Sequence, residues 1–544
     1  MRSGFTKMNE IEKMFKSMRN IAIVGLSPDE NKPSHKVAKF LQEQGFKIYP
    51  IYPEEDKILG RKVYRSLNEI ADSIDTVVMF RKSEFAEILL KDVILKKAKN
   101  FWLQLGIKNE NAKKISEQNG INFVQDHCIM IEFQNFKKEK KMVDLNKIIQ
   151  AKRTISGFIA ETSCDLAPKL SEIYGAKIYL KKENLQTTGA YKIRGAFNKI
   201  AHLSEDDKKR GVVAASAGNH AQGVAISAKH FGVKATIVMP EATPLLKVAG
   251  TKSLGAEVIL KGDNFDEAYA YALKYTKEHD KIFVHPFDDE FVQAGQGTIA
   301  LEMLESVPDL DYVVLPVGGG GLISGVASYI KQVNPECKVI AVGAKGAPAM
   351  HDSFLAKKVI NSKSVRTIAD GIAVRDASEI TLKIILETVD EFVQVDDNEI
   401  ANAILYLLEQ QKIIVEGAGA AGVAALMNRK FKFEKGKKIG IIISGGNIDV
   451  QMLNIIIEKG LRKSKRKMTV NVTLVDKPGA LLGLTEAIQK ANANIVKIDY
   501  DRFSTNIEYG DAVITITLET KGEKHQEEVR KSLLDEGYKF NEIM

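Results

Sequence analysis

At 544 residues, 44% of them hydrophobic and 27% charged, the chain is too long for a single core and predicts three or four globular domains. Its net charge of +8 suggests nucleic acid, but two short runs carry the whole excess: KKEKK at 137–141 and RKSKRK at 462–467. The balance elsewhere argues against a nucleic-acid surface, and Pro316 and four consecutive glycines inside the uncharged run Tyr312–Ile330 argue against a membrane span. The first twenty residues mix acids and bases around no apolar core, so no signal peptide is expected. Cys128, Cys164 and Cys337 lie far apart with no metal-type spacing, which predicts a reducing, cytoplasmic setting. Taken as linkers, the basic runs divide the chain into 1–136, a linker at 137–142, a central block at 143–460, a linker at 461–467 and a last block at 468–544. The central block should itself divide in two.

In the first block, NIAIVG (20–25) reads as a strand and SHKVAKFLQEQG (34–45) as a helix with Ser34 as cap and Gly45 as stop. FKIYPIYP, DTVVMF, FWLQLG and INFVQD continue as strands, with helices at 83–97 and 109–119. This is an α/β pattern, a Rossmann-like doubly wound parallel sheet whose ligand crevice lies at the strands' carboxyl ends. A dinucleotide site does not fit. GLSPDENKPS offers the lone Gly25 where three glycines are wanted, and the second strand ends at Tyr52-Pro53 rather than at an acid. The segments AIVGLSPDENKPSHKVAKFL, YPIYP, LGRKVYRSLNEI, VVMFRKSE and WLQLGIKNENA…DHCIMIEF resemble the small CoA-binding domains related to the nucleotide-binding half of succinyl-CoA synthetase. That resemblance implies Gly25, Ser27 and Pro28 under a pyrophosphate, Pro53 beside the adenosine and Arg81 on a phosphate. A sheet domain serving only as a scaffold has the same pattern.

The central block holds TTGAYKIRGAFNK (187–199), with Lys192 between Gly189 and Gly195. A lysine forms a Schiff base only when its amine is part-time unprotonated, which burial arranges, and one lysine alone carries no such conclusion. SAGNHAQGVAISAKHFG (216–232) follows an apolar strand and opens a helix; the first-turn amides of Ser216, Ala217, Gly218, Asn219 and His220 suit a carboxylate, though a plain capped helix start looks alike. VVLPVGGGGLISG (313–325) sets Gly318, Gly319, Gly320 and Gly321 between buried strand and helix, where bare amides can reach a phosphate; no Gly-Lys-Ser/Thr follows, so it is not a Walker loop. IGIIISGGN (439–447) delivers Ser444 at the end of a strand.

Amine, carboxylate cradle, phosphate cradle and neutral hydroxyl together suit pyridoxal phosphate. ENLQTTGAYKIRGAFNKI, SAGNHAQGVA, PVGGGGLISG, TIADGIAV, EGAGAAGVAAL and ISGGN resemble the fold-type II pyridoxal-phosphate enzymes of the threonine ammonia-lyase group. The resemblance implies a two-subdomain α/β fold, Lys192 as the Schiff-base lysine and Tyr191 against the cofactor ring. It further implies Asn219 at the ring hydroxyl, Gly318 to Gly321 on the phosphate and Ser444 at the ring nitrogen. A serine there makes a weaker electron sink than an aspartate, which suits β-elimination. The implied reactions are L-threonine to 2-oxobutanoate and L-serine to pyruvate, each releasing ammonia. Related serine racemases carry a proton-bearing serine where this chain has Ala217, which favours a lyase. Gly343 and Lys345 stand where metal-binding relatives have carboxylates, so no metal is expected there. Glu416 either approaches the site or is a loop acid near a helix start.

The last block reads strand, helix, strand, strand, helix, strand, a βαββαβ order of the ferredoxin-like kind, and its thirteen acids against nine bases again argue against nucleic acid. VTLVDKPGALLGLTEAIQKANANIVKIDYDR resembles an ACT domain, a regulatory amino-acid-binding module. This implies an effector, by analogy isoleucine or valine, at Asp476, Pro478, Gly479 and Ala480, or a dimerisation module without one. A homo-oligomer, dimer or tetramer, follows from the same resemblance. The whole predicts an allosteric lyase in isoleucine biosynthesis or threonine catabolism. The alternatives are a serine-preferring lyase and a CoA-binding protein merely fused to an independent lyase.

Overall fold

The structure, a computed structural model, describes residues 11, 14–15, 17–139 and 142–543. Residues 1–141 and 142–544 form two compact units.

The first unit runs β1 (Asn20–Val24), α1 (Pro33–Glu43), β2 (Lys47–Ile51), β3 (Thr76–Met79), α2 (Ala86–Leu95), β4 (Asn100–Leu103), α3 (Glu110–Gln118), β5 (Asn122–Val124) and α4 (Ile129–Glu139). These five strands form one parallel sheet in the order β2-β1-β3-β4-β5, and a short antiparallel hairpin, Lys57–Ile58 with Arg61–Lys62, stands apart from it. Helices cover both faces, so alternate residues of one strand enter different cores. Ile21, Ile23 and Trp102 join one cluster; Ala22, Val24 and Phe101 join the other. Ser34 is not a helix cap: Lys32 takes that position, and the Ser34 hydroxyl instead accepts the Ser27 N–H at 3.1 Å, tying the loop after β1 to α1.

The second unit begins with α5 (Leu145–Ile155), β6 (Cys164–Leu166), β7 (Lys177–Lys181), α6 (Lys192–Ala201), β8 (Val212–Ala215), α7 (Asn219–His230), β9 (Ala235–Met239), β10 (Glu257–Leu260) and β11 (Ile282–Phe283). It continues with α8 (Glu290–Ser306), β12 (Tyr312–Pro316), α9 (Gly321–Val333), β13 (Lys338–Ala344), β14 (Glu391–Val395), α10 (Gly417–Met427), β15 (Lys438–Ile442) and α11 (Val450–Lys463). Two sheets result: the parallel set β10-β9-β8-β11, and β14-β13-β12-β15-β7-β6, in which only β6 runs antiparallel. The expected division in two is this pair of sheets.

Beyond them lie β16 (Lys467–Val475), α12 (Ala480–Lys490), β17 (Asn494–Asp501), β18 (Asp511–Glu519), α13 (Glu523–Asp535) and β19 (Lys539–Glu542), an antiparallel sheet in the order β17-β18-β16-β19. The run 461–467 is not the irregular linker its charge suggested. It finishes α11 and starts β16, leaving only 464–466 outside regular structure, and Arg466 and Lys467 pair with Glu409 and Glu458. The helical backbone of α4 likewise enters the first basic run as far as Glu139, while Lys140 and Lys141 lie outside the described residues. Among the described residues no helix is long and apolar enough to cross a membrane.

Helix α8 is the spine of this unit, buried from Val292 to Leu304. Helix α6 packs on it so closely that a Cβ on Gly295 would stand 2.5 Å from the Arg194 carbonyl oxygen, and one on Gly195 would stand 2.4 Å from Gln296 Nε2. Gly295→Ala therefore forces α6, with Lys192 at its start, away from α8. A loss of about 1–3 kcal/mol in unfolding free energy is expected by denaturant titration.

Candidate active site

Helix α6 starts at Lys192 because Gly189 turns the chain in a left-handed conformation (φ 71°) just before it, and the Tyr191 amide is anchored to the Ser444 carbonyl at 3.1 Å. Lys192 thereby lines a cavity of about 910 Å³ together with Tyr191, Asn219, Gly319, Glu416 and Ser444. Its amine donates to the Pro286 carbonyl at 3.1 Å and lies 5.4 Å from the centre of the Tyr191 ring. Burial pulls the amine down to about 8, against the opposing charge of Glu416.

Two predicted cradles flank the amine, and the structure redraws the first. Helix α7 begins at Asn219, not at Ser216; the Ser216 amide is spent on the Val238 carbonyl and the Gly218 amide on Ser216 Oγ. Among the described residues no acceptor takes the amides of Ala217, Asn219 or His220. At the second, among the described residues no acceptor takes the N–H groups of Gly318, Gly319 or Gly320, just before α9. A Cβ on Gly319 would lie 2.4 Å from the Phe287 ring, and Gly320 is left-handed (φ 90°) with Thr381 at 2.6 Å. Only glycine fits that space, and the bare amides are what it leaves.

Glu416 proves to be part of the site. It is buried, and its carboxylate accepts Asn219 Nδ2 at 2.9 and 3.1 Å; Asn219 Oδ1 in turn accepts Asn447 Nδ2 at 2.8 Å. Burial raises Glu416 to about 7, the Asn219 bond only partly offsetting it. His220 and His285 also line the cavity, lowered to about 3 and about 4 by burial and by the Lys192 charge, so both imidazoles are neutral there. Sequence reasoning passed over His285, Phe287 and Asn447. The first two sit in HPFDD, which follows a strand of only two residues, too short a pattern to flag.

Beneath Lys192 lies a buried ion network. The Arg194 guanidinium meets Glu183 through two bonds of 2.8 Å and Glu302 through two more, with Thr298 Oγ1 at 3.1 Å. Lys181 donates to Glu302 at 2.5 Å and Lys152 to the other Glu302 oxygen at 2.8 Å. Burial alone would raise Glu302, but these cations outweigh it and hold the carboxyl at about 2.

Elsewhere, Gly25, Ser27 and Pro28 follow β1, Pro53 follows β2 and Arg81 follows β3, so they cluster at the carboxyl ends of three adjacent strands. Arg81 Cγ lies 3.4 Å from the position of a Cβ on Gly25. In the last sheet, Asp476 accepts the Tyr500 hydroxyl at 2.8 Å and pairs with Arg502, while Gly479 and Ala480 begin α12 after Pro478.

Residues 155–445 match the family model described as "Pyridoxal-phosphate dependent enzyme", and residues 19–134 match the "CoA binding domain". An L-threonine ammonia-lyase of Thermotoga maritima is 51% identical over 397 residues, covering 73% of this chain and 98% of that protein; one of Geobacter sulfurreducens is 47% identical over 368 residues, covering 68% and 91%. The chain is a pyridoxal-phosphate dependent lyase. Among solved structures, maize serine racemase superposes on this lyase with a TM-score of 0.56 at 35% identity, over 59% of this chain and 98% of that one. Threonine deaminase isoform 2 of Solanum lycopersicum does so at 0.55 and 36%, over 58% and 89%.

The lyase's own residues fit the cofactor: a tetraglycine loop that a Cβ would fill, unclaimed amides at a helix start, a lysine amine in the same cavity, and a buried Ser444 two residues past β15. Glu416 yields a check on this electrostatics. Its folded-state value stands above the ordinary carboxylate range, so the folded apoprotein binds a proton the unfolded chain releases, and stability falls as pH rises from about 4.5 to about 7. Glu416→Gln should flatten that slope, by up to about 3 kcal/mol across the window, in unfolding free energies measured against pH.

Proposed function

We propose that this lyase eliminates water from L-threonine and hydrolyses the product to 2-oxobutanoate and ammonia, with L-serine as a second substrate giving pyruvate. One observation carries the reading: a lysine amine lowered by burial to about 8, lining one cavity with the unclaimed amides at the starts of α7 and α9. The names of the two relatives at 51% and 47% identity support the choice of threonine.

When bound, pyridoxal phosphate supplies an electron-withdrawing ring that acidifies the α-proton of an attached amino acid. Gly318 to Gly321 would hold its phosphate, Tyr191 its ring face, Asn219 its hydroxyl and Ser444 its ring nitrogen. Lys192 is the general base at Cα, and its lowered basicity keeps enough free amine for the task. The Ala217, Asn219 and His220 amides orient the substrate carboxylate. A racemase needs a proton-bearing group on the opposite face. The likeness to maize serine racemase is therefore read as shared fold, because Ala217 offers no proton.

The same proposal assigns CoA or an acyl-CoA to Gly25, Ser27, Pro28, Pro53 and Arg81, supported by the family match at 19–134. It assigns an amino-acid effector, isoleucine or valine, to the loop Asp476–Ala480 of an ACT-like domain, in a cytoplasmic homo-oligomer. Coupling requires CoA to bind one state of the enzyme more tightly than another.

Purified protein should release 2-oxobutanoate from L-threonine, and Lys192→Ala should abolish the release while leaving the melting temperature near that of the wild type. Titrating CoA during the assay separates two designs: a shifted rate marks the first unit as a sensor, an unchanged rate marks a simple fusion.

A further inference from the structure

We propose that His285 is the hydrogen-bond donor that holds the leaving β-oxygen of the substrate. This rests on the β-hydroxy amino acid reading above and adds a residue to it.

His285 opens the segment His285-Pro286-Phe287-Asp288 that follows β11 and lines the Lys192 cavity. The segment touches the reacting amine directly, since Lys192 Nζ donates to the Pro286 carbonyl at 3.1 Å. Two backbone N–H groups, of Phe287 at 3.2 Å and Asp288 at 2.8 Å, donate to His285 Nδ1. A ring nitrogen that accepts two N–H groups carries no proton, so the proton sits on Nε2 and the ring is a neutral donor. Aromatic neighbours fix the ring: Phe287 at 4.6 Å between centroids, Phe283 at 5.9 Å and Tyr269 at 6.0 Å.

That Nε2–H has no acceptor among the described residues, yet it is not among the sealed, unpartnered polar atoms of the interior. Because His285 lines the cavity, we assign that accessible Nε2–H to it. The other cavity histidine differs: the His220 Nε2–H is taken by the Val284 carbonyl at 2.9 Å, and its Nδ1 is sealed. Asp288, the nearby acid, already accepts the Ser378 hydroxyl at 2.5 Å. His285 thus presents a free, oriented N–H beside Lys192.

In the elimination the Cα–H and Cβ–O bonds break. The proton taken by Lys192 leaves with the hydroxyl as water, the Cβ–O pair goes with the oxygen, and the electron pair of the Cα–H bond becomes the Cα–Cβ π bond. The β-oxygen gains negative charge before that proton reaches it. A fixed neutral donor stabilises this charge without surrendering its own proton.

His285→Asn keeps an oxygen where Nδ1 was, for the two loop amides, and deletes the Nε2 donor; His285→Gln returns an amide N–H near Nε2. In the holoenzyme, His285→Asn should lower kcat/KM for L-threonine by about 10²–10³-fold. For 3-chloro-L-alanine, whose chloride departs without a donor, the change should stay under about 3-fold. His285→Gln should recover at least about 10-fold on threonine, with bound-cofactor absorbance and Tm unchanged in both variants. In a Lys192→Ala background, calorimetric affinity for L-threonine relative to L-2-aminobutanoate, which lacks the hydroxyl, should fall about 2–12-fold on adding His285→Asn. Equal losses on both substrates, no loss on either, or an unchanged affinity ratio would overturn the assignment. A wild-type protein that eliminates chloride yet releases no oxoacid from threonine or serine would overturn the proposed function and this inference with it.

Discussion

The contact on which the lyase unit depends is a fully buried arginine two residues beyond Lys192. Arg194 is forked between Glu183, just past β7, and Glu302 on α8, with Lys181 and Lys152 completing the set. An unpaired guanidinium cannot remain in that interior, so α6 has one seating that satisfies its donors. Lys192 is carried on the same helix, and its amine is aimed by the same constraint. The glycine contacts between α6 and α8 act in the same direction, because backbones that touch leave no room for the helix to slide.

Once the amine is fixed, the electrostatics of its surroundings follow from burial. Lys192 is lowered, Glu416 is raised, and His220 and His285 are neutral. Each group is pushed toward its uncharged form, as expected where water is scarce. A pocket of this kind suits a reaction in which charge appears briefly on the substrate, because its own groups then compete least with that charge. Asn219 links the pieces, bonding Glu416 on one side and Asn447 on the other while heading the helix proposed to orient the substrate carboxylate.

Charge along the chain has a different meaning from charge in the core. The run at 462–467 looked like a solvated tether, yet it closes one helix, opens a strand and pairs with Glu409 and Glu458. Local charge density did not foretell that conformation. Lysines and arginines are good helix formers, and acids near in space but distant in sequence neutralise them.

What the sequence determined by itself was whatever depends on neighbours along the chain. Apolar strand runs flanked by glycine predicted the parallel sheets, and the four glycines predicted a bare-amide loop. The spacing of TTGAYK placed a lysine at a helix start, and the βαββαβ order of the last block was legible from alternation alone. Tertiary structure decided what depends on distant partners. Only folding brings Glu416 against Asn219, Glu302 against Arg194 and the HPFDD segment against Lys192, and only folding spends the Ser216 amide on β9 while leaving that of Ala217 free. A carboxylate or an imidazole has no fixed chemistry in a sequence, because its proton affinity and its tautomer are set by burial and by hydrogen bonds that arrive from other elements.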